Sequence, residues 1–117
     1  MTTLTEFLLA RIAEDEGAAS ECARATEREP VSLRATDGQV TPSALSAMEH
    51  IVRWDAGRVL AECEAKRRIV EVHLSGEAWC DHCSGGEHRG NPDACPTLRL
   101  LALPYVDHPD YDETWRP

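Results

Sequence analysis

The sequence has few basic residues, no long apolar run and no enzyme motif, and each shortage excludes a class of protein. Its 117 residues include 21 Asp and Glu against 12 Lys and Arg, a formal net charge of −9. An acidic chain repels phosphate backbones, so we do not expect a nucleic-acid partner. No apolar run approaches the about 18 residues of a membrane span, and the N-terminus lacks the features of a signal peptide. We therefore expect a cytoplasmic protein without a membrane partner.

Common catalytic motifs are also missing. The chain has no glycine-rich phosphate loop, no H-E-x-x-H and no G-x-S-x-G. The zinc-deaminase signature requires P-C-x-x-C, but Trp79 rather than proline precedes Cys80. Near the C-terminus Asp107, His108 and Asp110 form a small acidic group with one histidine, which we interpret as solvated surface. We predict a protein that is not an enzyme and has no catalytic residues.

Length and composition predict one small globular domain. Hydrophobic residues make up 42% of the chain and charged residues 28%, which is typical of a chain that can bury one modest core. The spacing of the apolar residues predicts a mainly α fold. The predicted elements are helices over 3–26, 42–54, 56–74 and 96–103, a possible β-hairpin over 30–41, a metal loop over 75–95, and an irregular tail over 104–117 whose aromatic side chains pack back over the helices.

Local signals predict where the helices begin. Thr3 and Glu6 form a capping-box pattern before the first apolar residues. Thr41 precedes a proline, which is typical of an N-cap followed by a first helical turn. Asp55 can cap a further helix, so we predict a break near Trp54 rather than one continuous helix over 42–74.

The positions of charged side chains on these helices predict one solvated face and two ion pairs. The acidic run 14–16 is predicted to be a solvated face of the first helix. On the third helix a spacing of four residues predicts ion pairs between Glu62 and Lys66 and between Glu64 and Arg68.

The loop over 75–95 holds the cysteines that predict a metal site. In a reducing compartment, the chain's five cysteines argue against a disulfide framework. Cys80 and Cys83 have the C-x2-C spacing of a chelating pair, and Cys95 directly precedes the last helix, where a thiolate is favoured. One histidine would complete a Cys3His zinc set. A metal would also order a loop of this length.

The fourth ligand is open among three histidines. His73 lies at the end of the predicted 56–74 helix. A metal bound there would connect that helix to the last one, and we favour His73 for that reason. His88 would give C-x2-C-x4-H-x6-C, which resembles a zinc knuckle except that its last gap is two residues longer. A knuckle implies an alternative function, nucleic-acid binding, against which the charge balance argues. His82 is the third candidate.

A second alternative includes Cys63. Together with Cys80, Cys83 and Cys95 it gives four thiols, enough for an iron–sulfur cluster and a redox-sensor function. The first two spacings resemble those of the actinobacterial WhiB-like regulators, but the last gap departs from that family. Cys63 lies on the apolar stripe of its helix, where a buried thiol behaves as a small hydrophobic group. We predict that Cys22 likewise lies in the core.

Three stretches carry a wider resemblance: MTTLTEFLLARIAEDE, RVLAECEAKRRIVEVH and CPTLRLLALPYVDHPDYDETWRP. They resemble a family of small uncharacterised proteins found in Streptomyces, other actinobacteria and their phages. The resemblance implies His73, Cys80, Cys83 and Cys95 as the metal ligands, and it implies no activity. We therefore expect a small zinc-binding interaction or regulatory module whose partner is another protein.

Overall fold

The computed structural model describes residues 2–28, 40–74 and 92–117, and no strand occurs among them. The α-helices are α1 (Leu4–Arg28), α2 (Pro42–Arg53), α3 (Ala56–Leu74) and α4 (Pro96–Ala102). Short 3-10 helices follow at Pro92–Ala94, Leu103–Tyr105 and Glu113–Trp115. The predicted mainly α class is confirmed. The hairpin predicted over 30–41 and the loop over 75–95 fall almost entirely outside the described residues.

The helix starts agree with the local capping signals. Glu6 N–H donates to Thr3 Oγ1 at 3.2 Å, and Thr3 N–H donates to Glu6 Oε2 at 2.9 Å. This backbone hydrogen bond lowers the pKa of Glu6. The Thr41 hydroxyl accepts an N–H of the first turn of α2 at 3.2 Å, and the Asp55 carboxylate accepts one from α3 at 2.8 Å. The predicted break at Trp54 is confirmed.

The core lies between α1, α3 and α4. α1 packs along α3, and α4 packs against both helices. Each large apolar side chain that is fully buried contributes roughly 1.5–3 kcal/mol. In the described ranges, no helix combines the length and apolar character that crossing a bilayer requires. The largest fully buried side chains are Phe7, Leu4, Leu8, Ile12, Leu98, Val70 and Cys63.

The aromatic residues of the C-terminal segment pack onto α1, as predicted. The Phe7 ring centroid lies 5.1 Å from that of Trp115, 5.9 Å from that of Tyr111 and 6.3 Å from that of Tyr105. Tyr105 and Trp115 lie in two short 3-10 helices, so the tail is more regular than the sequence suggested.

The last helix is one residue shorter than predicted and is buried on one side. α4 ends at Ala102, and the chain continues directly as the 3-10 helix Leu103–Tyr105. Leu98 is 0% exposed, but Leu100 is 56% exposed. Two residues along a helix correspond to more than half a turn, so these two leucines point to different sides. Only one side of α4 therefore faces the core.

Candidate metal centre

His73 lies in the last turn of α3, a 19-residue helix that packs in the core. Val70, three residues earlier, is fully buried and fixes this end of α3 against the rest of the molecule. His73 is half-buried. The core thus positions the imidazole at the point where the chain leaves α3.

Cys95 occupies the N-cap position of α4. Its N–H donates to the Pro92 carbonyl at 3.0 Å, and its own carbonyl accepts from Arg99 N–H at 3.0 Å. The side chain makes no capping hydrogen bond and is almost completely buried. Backbone contacts on both sides therefore hold Cys95, and its thiol is turned towards another part of the molecule.

The thiol faces His73. Cys95 Sγ lies 3.3 Å from His73 Nδ1, although 22 positions separate these residues in the sequence. Zinc binds thiolate sulfur at about 2.3 Å and imidazole nitrogen at about 2.0–2.1 Å, so two such ligands on a tetrahedral ion lie about 3.5 Å apart. The spacing also suits a hydrogen bond between a thiol and an imidazole. The pair therefore has the chemistry and nearly the separation of two ligands of one zinc ion.

The other predicted ligands cannot be located. Cys80 and Cys83 fall outside the described residues, as do the alternative histidines His82 and His88. Within the described ranges no group of three or more Cys, His, Asp or Glu side chains could hold a metal ion. The geometry therefore covers two of the four predicted ligands, His73 and Cys95.

Cys63 lies apart from this pair. Cys63 and His73 are ten residues apart on α3, which corresponds to about 15 Å along the helix axis. Burial raises the pKa of the Cys63 thiol, and the nearby Asp15 carboxylate raises it further. A thiol held in its protonated form is a poor metal ligand and a poor nucleophile. Both observations weigh against a cluster that contains Cys63, and they support its prediction as a core residue.

The sequence matches one family model over its whole length. The model of a family of unknown function, DUF6221, matches residues 1–117. The chain belongs to DUF6221. No curated protein and no solved structure matches it. The family description of DUF6221 names no activity, so the chemistry of this centre rests on the chain's own residues.

Asp93 connects the centre to the start of α1, and the sequence analysis did not predict this contact. Leu4 N–H donates to Asp93 Oδ1 at 3.0 Å, and Arg99 Nε donates to the Asp93 carbonyl at 2.7 Å. A carboxylate at a helix N-terminus is favoured by the helix dipole. The sequence offers one indirect signal for Asp93, its position two residues before Cys95. Its hydrogen-bond partner Leu4 is 89 positions away, and sequence patterns do not predict such a contact.

The acidic run of α1 is only partly a solvated face: Glu14 is exposed as predicted, whereas Asp15 and Glu16 are half-buried. Glu14 Oε1 lies 2.8 Å from Arg11 Nη2, and Glu16 Oε2 lies 2.6 Å from Arg67 Nη2 on α3. Asp15 Oδ2 accepts a hydrogen bond of 2.6 Å from the Tyr105 hydroxyl. Asp15 and Glu16 therefore join α1 to other parts of the molecule, whereas Glu14 pairs within α1 and its side chain is exposed.

His108 and Cys22 also differ from their predictions. His108 is half-buried rather than solvated: its Nε2 lies 2.6 Å from Arg11 Nη1, and its ring packs edge-on against Phe7 with centroids 5.6 Å apart. It therefore belongs to the packing of the tail on α1. Cys22 is exposed rather than buried, because it lies beyond the part of α1 that packs in the core.

One of the two ion pairs predicted on α3 forms as expected. Arg68 Nε lies 2.8 Å from Glu64 Oε1. Glu62 pairs with Arg58 at 3.4 Å and not with Lys66, so the second prediction is wrong in its partner. Both arrangements have a spacing of four residues, and the sequence alone did not distinguish them.

Proposed function

We propose that this member of DUF6221 is a non-enzymatic zinc-binding protein in which His73, Cys80, Cys83 and Cys95 hold one ion. The observation that carries this proposal is the 3.3 Å separation of His73 Nδ1 and Cys95 Sγ. A half-buried imidazole and a buried thiol from distant parts of the chain converge there. Cys80 and Cys83 lie between them in the sequence with the spacing of a chelating pair.

The choice of zinc follows from the donor set. Thiolate and imidazole ligands suit zinc, and three cysteines with one histidine form a closed tetrahedral set. A closed set leaves no position for water or substrate, so the ion would be structural rather than catalytic. When bound, it supplies cross-linking of the chain and no reaction chemistry.

The ion would fasten the end of α3 to the start of α4. In a domain of this size, metal binding can supply a large share of the folding free energy. The zinc-bound domain would then have an interaction or regulatory role, and its partner would be another protein. The resemblance of three stretches to small proteins of actinobacteria and their phages supports an origin in one of these.

The proposal is tested by metal analysis of protein purified without oxygen. We expect one zinc per chain. His73→Ala and Cys80→Ser should lose the ion and destabilise the domain by roughly several kcal/mol, since structural zinc sites carry folding energy. His88→Ala should keep the ion and change stability by no more than about 0.5 kcal/mol. Cys22→Ser is the matched thiol control, because Cys22 is exposed and outside the proposed set.

Three results would contradict the proposal. A brown, iron-containing sample would indicate a cluster and the redox alternative. Loss of metal in His88→Ala with retention in His73→Ala would indicate a local knuckle. Metal-free protein whose thermal midpoint is the same with and without added zinc would exclude a structural ion.

A further inference from the structure

α2 has an amphipathic sequence and no partner among the described residues. None of its residues is buried. Leu45, Ile51 and Val52 are 50%, 59% and 74% exposed. These residues and Met48 recur at spacings of three and four, so they share one face of the helix. An isolated helix of this length is marginal in water, and most helices are stabilised by burying such a face.

A groove that could accept such a helix lies elsewhere on the same chain. A shallow groove of about 530 Å³ runs along the outer side of α3 and is closed on one side by Leu101 of α4. Ala61, Ala65 and Ile69 form its floor. Alanine side chains let a second helix approach closely. The groove extends from Arg58 to Ile69, about 17 Å along the helix, and the 12 residues of α2 span about 18 Å.

The junction with α3 keeps α2 out of the groove of its own chain. Asp55 caps the start of α3, and the Arg58 guanidinium lies 4.0 Å from the centroid of the Trp54 ring. Arg58 Nη1 also approaches the Arg53 carbonyl at 3.5 Å. With this junction in place, the apolar face of α2 is exposed and the groove of the same chain is open.

Charge makes these two surfaces the suitable ones for self-association. The chain carries a formal net charge of −9, so most approaches between two copies are repulsive. α2 carries Glu49, His50 and Arg53, whereas the groove is rimmed by Arg58, Glu62 and Lys66. Neither Glu49 nor Lys66 belongs to an ion pair within the described residues. They can pair with each other across copies.

We propose that α2 lies in the α3–α4 groove of a second copy of this chain, and that the second copy does the same in return. A two-fold dimer of this kind closes on itself and contains two identical contacts. The reciprocal arrangement covers two helix faces and two grooves, whereas packing two α2 faces against each other would leave both grooves open.

The experiment is sedimentation equilibrium of the full chain as purified, from about 1 µM to 1 mM. We expect a concentration-dependent rise from the 13.0 kDa of the chain to twice that mass. Val52→Lys on α2 and Ala65→Lys in the groove should each weaken association at least about tenfold. Both positions are exposed, so folding should be retained. Ser46→Lys, on the other face of α2, is the control and should associate as the parent does.

An equimolar mixture of the two lysine variants distinguishes this arrangement from other dimers. One contact in a mixed dimer joins an intact α2 to an intact groove, so the mixture should associate more strongly than either variant alone. A parent that stays monomeric, an Ala65→Lys variant that associates like the parent, or a mixture no stronger than its components would overturn the proposal. Zinc content is measured in parallel, so that the test of association stays separate from the test of metal binding. The proposed dimer does not depend on the metal.

Discussion

Tyr105 and Tyr111 both pack against Phe7, but their hydroxyl groups have different surroundings. The Tyr105 hydroxyl donates to Asp15 Oδ2 at 2.6 Å. Burial, and then the hydrogen bond to Asp15, raise the pKa of Tyr105 well above its usual range. The Tyr111 hydroxyl is buried and has no hydrogen-bond partner among the described residues. The two residues therefore provide a matched test of what one such hydrogen bond contributes.

We predict that Tyr105→Phe lowers the free energy of unfolding by about 1 kcal/mol, because it leaves Asp15 without this donor. Tyr111→Phe should change it by no more than about 0.5 kcal/mol, since no partner is lost. Urea unfolding at neutral pH measures both. Equal losses in the two variants would contradict the assigned role of the Asp15 contact.

The same contact predicts a pH dependence. A group whose pKa is raised in the folded state stabilises the fold fully below its ordinary pKa, which is about 10 for tyrosine. Above that pH the unfolded chain ionises first, so stability is lost as the pH rises. The parent should lose more stability than Tyr105→Phe between neutral pH and the alkaline limit. Parallel alkaline losses would contradict a raised pKa of Tyr105 in the folded state.

At the scale of elements, the start of α1 depends on a residue next to the candidate metal centre. Asp93 accepts a hydrogen bond from Leu4 N–H, and Leu4 is fully buried. We predict that Asp93→Ala destabilises the protein by about 1 kcal/mol, the usual effect of losing an N-terminal cap. Asp93→Asn, which keeps a carbonyl acceptor, should retain most of that stability. Urea unfolding with zinc content checked compares the two, and identical midpoints for Ala and Asn would exclude a capping role.

The starts of the helices could be predicted where a capping residue lies next to them in the sequence. Thr3 with Glu6, Thr41 and Asp55 each fix a helix start through an acceptor within three residues, and the sequence is sufficient for such contacts. The partners of the acidic run on α1 could not be predicted. Glu16 meets Arg67 across 51 positions, and periodicity does not tell which helix lies opposite.

The exposure of α2 illustrates the same limit. Its pattern predicted an amphipathic helix, and the helix forms, but the pattern does not say what covers the apolar face. For the candidate site, residue chemistry and spacing suggested His73 and Cys95, which the fold brings to 3.3 Å. The exposure of Leu100 depends on which side of α4 faces the core, and the leucine content of the segment does not specify that side.

For the whole molecule, net charge decides whether nucleic acid is a plausible partner. The formal charge is −9; three thiolates would add three negative charges and zinc two positive ones, leaving about −10. We predict no complex with single- or double-stranded DNA or RNA in the micromolar range at physiological salt. Gel-shift assays test this, and a complex that weakens steeply with added salt would favour the knuckle alternative.

The candidate centre is connected to more of the molecule than the loop that contains Cys80 and Cys83. Cys95 begins α4, which buries Leu98 in the core. Two residues earlier, Asp93 caps α1, which carries the Phe7 ring against Trp115. A metal bound at Cys95 would therefore stabilise the last helix, the first turn of the first helix and, through Phe7, the C-terminal segment.

Removal of zinc by a chelator should consequently loosen several elements together. We predict a loss of helicity by far-UV circular dichroism larger than unfolding of α4 alone would produce, because metal-binding free energy is folding free energy in such a domain. Amide exchange should increase around Leu4, His73 and Leu98 in parallel. Added zinc should restore both signals, and Cys22→Ser should behave as the parent. If exchange increases at His73 and Leu98 while the first turn of α1 keeps its protection, Asp93 does not transmit the effect of the metal to α1.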